Sequence, residues 1–158
     1  MEKYIKPFVD ASVGVFSSMV GLSVTVGRPY LCEINSPHEW DISGVIGLTG
    51  QARGAVVLSM KKDLALSITT ALTEKAQQEI NEDVVDAVGE LINIIAGNAK
   101  KGLESDFKLV ISLPTIVEGP KHRIAWPLEQ TRIICIPFTT GDGNEFWLSV
   151  ALESQQGA

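Results

Sequence analysis

Residues 81–103, NEDVVDAVGELINIIAGNAKKGL, constrain the fold more than any other stretch of this chain. At about 100° per residue, Val84, Val85, Val88, Leu91, Ile92, Ile95 and Ala99 share one arc of a helix, and Asp86, Glu90, Asn93 and Gly97 lie roughly opposite. A helix this long with a single apolar stripe must lay that stripe on a second layer of structure. Asn81 is placed to cap its start, and Glu82 and Asp83 suit the positive end of the helix dipole. The outward face is harder to explain. From Glu82 to Ala99 there are four acids and no Lys or Arg, and Asp86 with Glu90 is a like-charge i,i+4 pair that costs a few tenths of a kcal/mol. Glu90 lies beyond the first turn, where the dipole offers it little. Gly89 and Gly97 each cost about 1 kcal/mol relative to Ala inside a helix. Packing against a neighbouring element of the same chain accounts for Gly89, which is nearer the apolar arc, and the close approach of a partner accounts for Gly97. A merely solvated polar face is the plain alternative for the whole stripe.

Upstream, Ile5, Phe8, Val9, Ser12, Val15, Phe16, Met19 and Val20 follow helical spacing. They predict a helix over residues 3–20 that stops at Gly21, with Pro7 tolerable only near the first turn. Residues 24–34 read as a strand, and 42–48 with 55–60 as a hairpin turning in GLTGQARG. Gly44 and Gly54 point to bulges or close strand approach. Leu64, Ile68, Ala71 and Leu72 predict a helix over 63–72. Strands follow at 109–117, 132–138 and 145–152, the last two joined by TTGDGN. The order α-βββ-αα-βββ implies an α+β fold in which helices pack on one face of a mostly antiparallel sheet, within a single domain over residues 1–158. Two β-rich halves, each following a helix, are compatible with an internal duplication.

Composition narrows the function. A hydrophobic fraction of 45% is enough to bury a core without disulfides or metals. A net charge of -6, with Lys and Arg only in short separated groups such as Lys61-Lys62, Lys100-Lys101 and Lys121-His122-Arg123, argues against a nucleic-acid partner. No apolar run reaches the length of a membrane span, and the apolar segment 11–22 has acidic flanks and a helical period unlike an export signal. Cys32 and Cys135 are expected in strands as buried, reduced thiols, which implies a cytoplasmic protein. His38, Glu39 and Asp41 crowd around Trp40 and suggest a metal-dependent hydrolase as a rival reading, but a centre needs further ligands and His122 is the only other histidine. The reading is therefore of no metal site. Trp126 and Pro127, in the segment 118–130, read as an aromatic anchor for a loop.

The spacing Asp86-x3-Glu90-x2-Asn93, followed on a later strand by Pro114, resembles the signature of the CheC, CheX and FliY phosphatases of bacterial chemotaxis. The opening YIKPFVDASVGVFSSMVG, the glycine-rich DISGVIGLTGQARGAVVLSM and the segment SLPTIVEG extend the resemblance over nearly the whole chain. The single copy of the helix motif is more similar to the CheX branch than to the CheC branch. The resemblance implies an enzyme that hydrolyses the aspartyl phosphate of a CheY-type response regulator. It implies that Asn93 holds the attacking water and that Glu90 reaches a lysine of the receiver, while Asp86 and Gly97 support docking or helix geometry. It implies no cofactor of the chain's own, with Mg2+ carried by the phosphorylated receiver. It also implies a homodimer joined through its sheet, for which the apolar final strand FWLSVAL would offer an edge. A receiver-binding adapter without catalysis is the alternative function.

Overall fold

The computed structural model describes residues 2–32, 38–126 and 132–154. A helix α1 (Glu2–Val15) continues as a wider π-helical turn, Phe16–Val20, and is followed by strands β1 (Val24–Val26), β2 (Tyr30–Leu31), β3 (Trp40–Gly50) and β4 (Ala52–Met60). Helices α2 (Lys62–Thr73) and α3 (Glu82–Leu103) come next, then β5 (Leu109–Ile111), β6 (Thr115–His122), β7 (Ile133–Thr140) and β8 (Glu145–Ser154). Every pairing is antiparallel. The strand order is β1-β7-β8-β4-β3-β5, with β2 also on β7 and β6 also on β3. Exchanging the two halves of the chain leaves this order unchanged. The short strands of each half border the hairpin of the other, and β4 meets β8 at the centre, which is the pattern of an internal duplication whose halves complete each other's sheet.

Three sequence expectations change in detail. The strand expected over 24–34 is two short pieces: Gly27 N–H still donates to Pro137 O (2.7 Å), but neither Pro137 nor Pro29 has an N–H to give, and the ladder resumes only at Tyr30; positions 33 and 34 lie outside the described residues. The strand expected over 109–117 is likewise two, β5 and β6, divided at Ser112, Leu113 and Pro114. The final strand β8 is not an edge: it pairs with β4 on one side and β7 on the other, so its apolar run is consumed by core packing. The open borders of the sheet are β1 with β2, and β5 with β6.

Alternation along the strands separates two faces. Ile42, Ile46, Leu48, Val56, Leu58, Met60, Ile134, Ile136, Phe138, Phe146, Leu148 and Val150 turn toward the helices and form one core with Phe8, Phe16, Leu64, Ile68, Val88, Leu91, Ile92 and Ile95. Pro7 sits one turn deeper in α1 than a first-turn proline, packed where α3 has only Gly102: a Cβ there would lie 2.9 Å from Pro7 Cβ. The helix ends at Gly21, which adopts φ +75° and donates its N–H to Phe16 O. Gly54 marks close strand approach, since an added Cβ would lie against the Ala151 carbonyl.

The other face carries a smaller cluster of Trp40, Cys135 and Trp147 with Cys32 at its edge. Cys32 and Cys135 form a disulfide, with Cα atoms 5.5 Å apart, and are not the reduced thiols that the sequence suggested. The cause is topological. β2 pairs with β7 so that Tyr30 faces Cys135, and Cys32 N then donates to Ile133 O at 2.8 Å, which juxtaposes residues separated by 103 positions in the chain. On the same face Ser59 Oγ and Ser43 Oγ lie 2.8 Å apart, Ser43 Oγ lies 2.8 Å from His122 Nε2, and His122 Nδ1 lies 2.8 Å from Gly119 O. His122, which the sequence placed among solvated charges, thus ties β6 to β3.

Candidate functional site

The outward face of α3 is built by what lies beneath it. Asn81 caps the helix, its Oδ1 accepting Val84 N–H at 3.2 Å, and Glu82 and Asp83 occupy the first turn while Lys100 and Lys101 occupy the last. Each end therefore carries the charge that the helix dipole favours. Val84, Val88, Leu91, Ile92, Ile95 and Ala99 are buried as the periodicity predicts. Gly44 on β3 lets the helix settle onto the sheet, because a Cβ there would meet Ile92 Cγ2 at 3.0 Å. Packing on the inner side fixes which residues face out.

Asp86, Glu90 and Asn93 are exposed, and Gly97 is half-buried. Among the described residues, the side chains of Asp86, Glu90 and Asn93 make no hydrogen bond or ion pair within the chain. They occupy one ridge, with Glu90 and Asn93 a single turn apart and their Cβ atoms about 5 to 6 Å from each other. A Cβ added at Gly97 would meet nothing within 4 Å. Gly89 is buried, and a Cβ there would lie 3.7 Å from both Pro114 Cγ and Ile116 Cδ1. That is ordinary contact, so the expected packing neighbour exists but leaves room for a methyl group. The fold thereby brings Pro114, distant in sequence, beside the turn that presents Glu90.

Such a ridge suits insertion into another molecule's cleft. A surface hollow of about 690 Å3 lies against α1, β1 and β2 and is lined by Ile5, Val26, Tyr30 and Leu31 among others. Neither it nor the hollows beside Tyr4, Asp41 and Asn98 include Asp86, Glu90, Asn93 or Gly97. An unpaired carboxylate can meet a cation, and an unpaired carboxamide can hold a water by accepting its hydrogen. The two are close enough to enter one small polar site together.

The rival metal reading places its ligands in other work. His38 packs at a tilt against Trp147, with ring centroids 4.0 Å apart, and Asp41 accepts the Lys62 N–H at 2.7 Å where α2 begins. Trp126 is half-buried; Pro127 lies outside the described residues. Sequence reasoning missed the connector at 112–114. Ser112 N donates to Gly47 O (2.9 Å), Gly47 N donates to Ser112 Oγ (2.8 Å), and that hydroxyl donates to Leu113 O (2.9 Å). Leu113 is left 86% exposed. The only signal was Pro114 itself, which disfavours an unbroken ladder.

Comparison with known proteins gives a consistent picture. The family model for the chemotaxis phosphatase CheX matches residues 42–139. The CheY-P phosphatase CheX of Thermotoga maritima is 32% identical over 123 residues, covering 73% of this chain and 78% of that protein. The crystal structure of the chemotaxis protein CheX from Desulfovibrio desulfuricans is 34% identical and superposes with a TM-score of 0.86, over 95% of this chain and 99% of that one. The CheX–CheY–BeF3–Mg2+ complex from Borrelia burgdorferi contains a chain that is 25% identical, with a TM-score of 0.79 over 96% and 98% of the two chains. Among the described residues, no helix is long and apolar enough to cross a membrane.

Proposed function

Because this chain belongs to the CheX family of chemotaxis phosphatases, we propose that it hydrolyses the aspartyl phosphate of a CheY-type response regulator, with Glu90 and Asn93 as the groups that enter the receiver's site. The supporting observation is the pair itself: an exposed carboxylate and an exposed carboxamide, one turn apart on α3 and free of partners among the described residues. A relative from Borrelia burgdorferi in complex with CheY, BeF3 and Mg2+ supports the same kind of partner.

Hydrolysis of an acyl phosphate asks for little covalent help. It needs a water in line with the scissile P–O bond and compensation of charge on the phosphoryl oxygens. The amide oxygen of Asn93 accepts one hydrogen of that water and leaves its lone pair aimed at phosphorus. The water oxygen then bonds to phosphorus as the bond to the aspartyl oxygen breaks, giving inorganic phosphate and the free carboxylate. Glu90 would be repelled by the phosphoryl group, so its partner is a cation, the lysine that receivers hold beside the phosphoaspartate. That contact fixes the depth and rotation of α3 in the cleft. Magnesium belongs to the receiver and neutralises phosphoryl charge there; this chain contributes no ligand to it. Asp86 and Gly97 shape the docking surface.

We place the reaction in the cytoplasm, with residues 1–158 acting as one domain and two copies pairing through an open sheet border. Light scattering tests the last point, a monomer at micromolar concentration refuting it. The enzymatic reading is tested by following receiver phosphate with wild type, Asn93→Ala and Glu90→Ala. Turnover by wild type, with a loss of rate in the first variant and a loss of both rate and affinity in the second, is the expected result. A pure adapter would leave the phosphate lifetime unchanged or longer.

A further inference from the structure

The ridge on α3 supplies charge and orientation but little apolar surface, whereas stable docking usually centres on an apolar side chain that loses its water. Leu113 is the most exposed large hydrophobic side chain among the described residues, at 86%. Resting on the phosphatase reading above, we propose that Leu113 is the apolar anchor by which a CheY-type receiver seats itself on α3, a positioning residue for the reaction.

Two further observations support this. The first is rigidity. Ser112 is bound to Gly47 through both its backbone N–H and its hydroxyl, and the hydroxyl also holds Leu113 O, while Pro114 fixes its own φ and restricts Leu113 before it. An apolar side chain displayed on a clamped backbone loses little freedom when it is covered, so more of its burial appears as affinity. The second is continuity with the ridge. Pro114 Cγ lies 3.7 Å from the Cβ position of Gly89, the residue before Glu90, so the clamped connector adjoins the turn that carries Glu90. A receiver that reaches Glu90 and Asn93 passes this connector. The other exposed apolar side chains of this border, Val110 and Val117, are opposite Thr49 and Ser43 on β3, positions of the sheet face turned away from the helices.

The experiment compares wild type, Leu113→Ser and Leu113→Met by steady-state dephosphorylation of CheY-type receivers, by binding to receivers activated with beryllofluoride and magnesium, and by solution mass. Leu113→Ser should raise KM and the dissociation constant by about 10- to 100-fold, with kcat and thermal unfolding unchanged and with Leu113→Met restoring most of the affinity. Unchanged KM and binding in Leu113→Ser, beside an active wild type, would overturn the anchor and leave the phosphatase reading standing. A wild type that binds receivers without hydrolysing their phosphate would overturn the phosphatase reading, and the anchor would then be judged on binding alone. A wild type that neither binds nor turns over any receiver would overturn both. A change of solution mass in Leu113→Ser would make Leu113 a contact between copies and overturn the proposal.

Discussion

Gly97→Ala separates folding from function in a single methyl group. Glycine inside a helix costs about 1 kcal/mol relative to alanine, and among the described residues the added Cβ meets no atom within 4 Å beyond its adjoining residues and the local helix backbone. The isolated protein should therefore gain about 0.5 to 1 kcal/mol, a rise of roughly 1 to 4 °C in Tm for a domain of this size. The same methyl group stands on the ridge that carries Glu90 and Asn93. If a receiver packs closely there, overpacking costs about 1 to 3 kcal/mol, or roughly 5- to 150-fold in kcat/KM. Gly89→Ala is the internal control. Its Cβ would make ordinary 3.7 Å contacts with Pro114 and Ile116 from beneath, so it should gain similar stability and keep its activity. Urea unfolding and receiver dephosphorylation, measured on both variants, give the two readouts. A destabilised Gly97→Ala would refute the open-space argument. A stabilised Gly97→Ala with full activity would show that no partner approaches this turn.

The remaining expectations concern the Asn93 amide, the disulfide and one turn. Asn93→Ala should lower kcat by about 100-fold, or about 2.7 kcal/mol of transition-state stabilisation, with unfolding unchanged because the side chain is exposed and has no partner among the described residues; an equal rate would remove Asn93 from the mechanism. Reducing the Cys32–Cys135 bridge should cost about 2 to 5 kcal/mol of stability, since it closes a long loop, while receiver dephosphorylation by the folded protein persists because the bridge lies on the sheet face away from α3. Chemical unfolding with and without dithiothreitol checks this, and equal midpoints would contradict it. The carboxyl of Asp142 is held below its ordinary value, chiefly by the Thr140 hydroxyl; burial opposes this, and hydrogen bonds from Asn144 and from the backbone of Asp142 itself add smaller lowering effects. Its folded-state pKa is depressed, so its contribution to stability is present above the unfolded value and is lost as pH falls through the folded one. Asp142→Asn should flatten that part of the acid limb in unfolding measured against pH, and an unaltered limb would refute it.

Leu113 and the disulfide show where a reading of the chain runs out. Residues 109–117 have strand composition apart from Pro114, and that proline marks a break without revealing that Ser112 would clamp to Gly47, a residue 65 positions away, and leave Leu113 exposed. Similarly, Cys32 and Cys135 are ordinary strand cysteines until β2 and β7 pair. The apolar run in β8 gave the wrong impression of a free edge because a central strand and a hydrophobic edge strand have the same composition. Local composition records burial but not which neighbour supplies it.

The α3 stripe was different, because both its faces are written at a fixed angular period. Helical geometry alone places Val84, Val88, Leu91, Ile92 and Ile95 on one side and Asp86, Glu90 and Asn93 on the other, and a sheet of any topology would bury the first set and expose the second. The tertiary structure decided what stands beside that ridge. Long-range pairing of β5 and β6 with β3 brings Pro114, the residue after the exposed Leu113, against Gly89, the residue before Glu90. Such a contact depends on the register between distant strands, which no periodicity within either strand encodes.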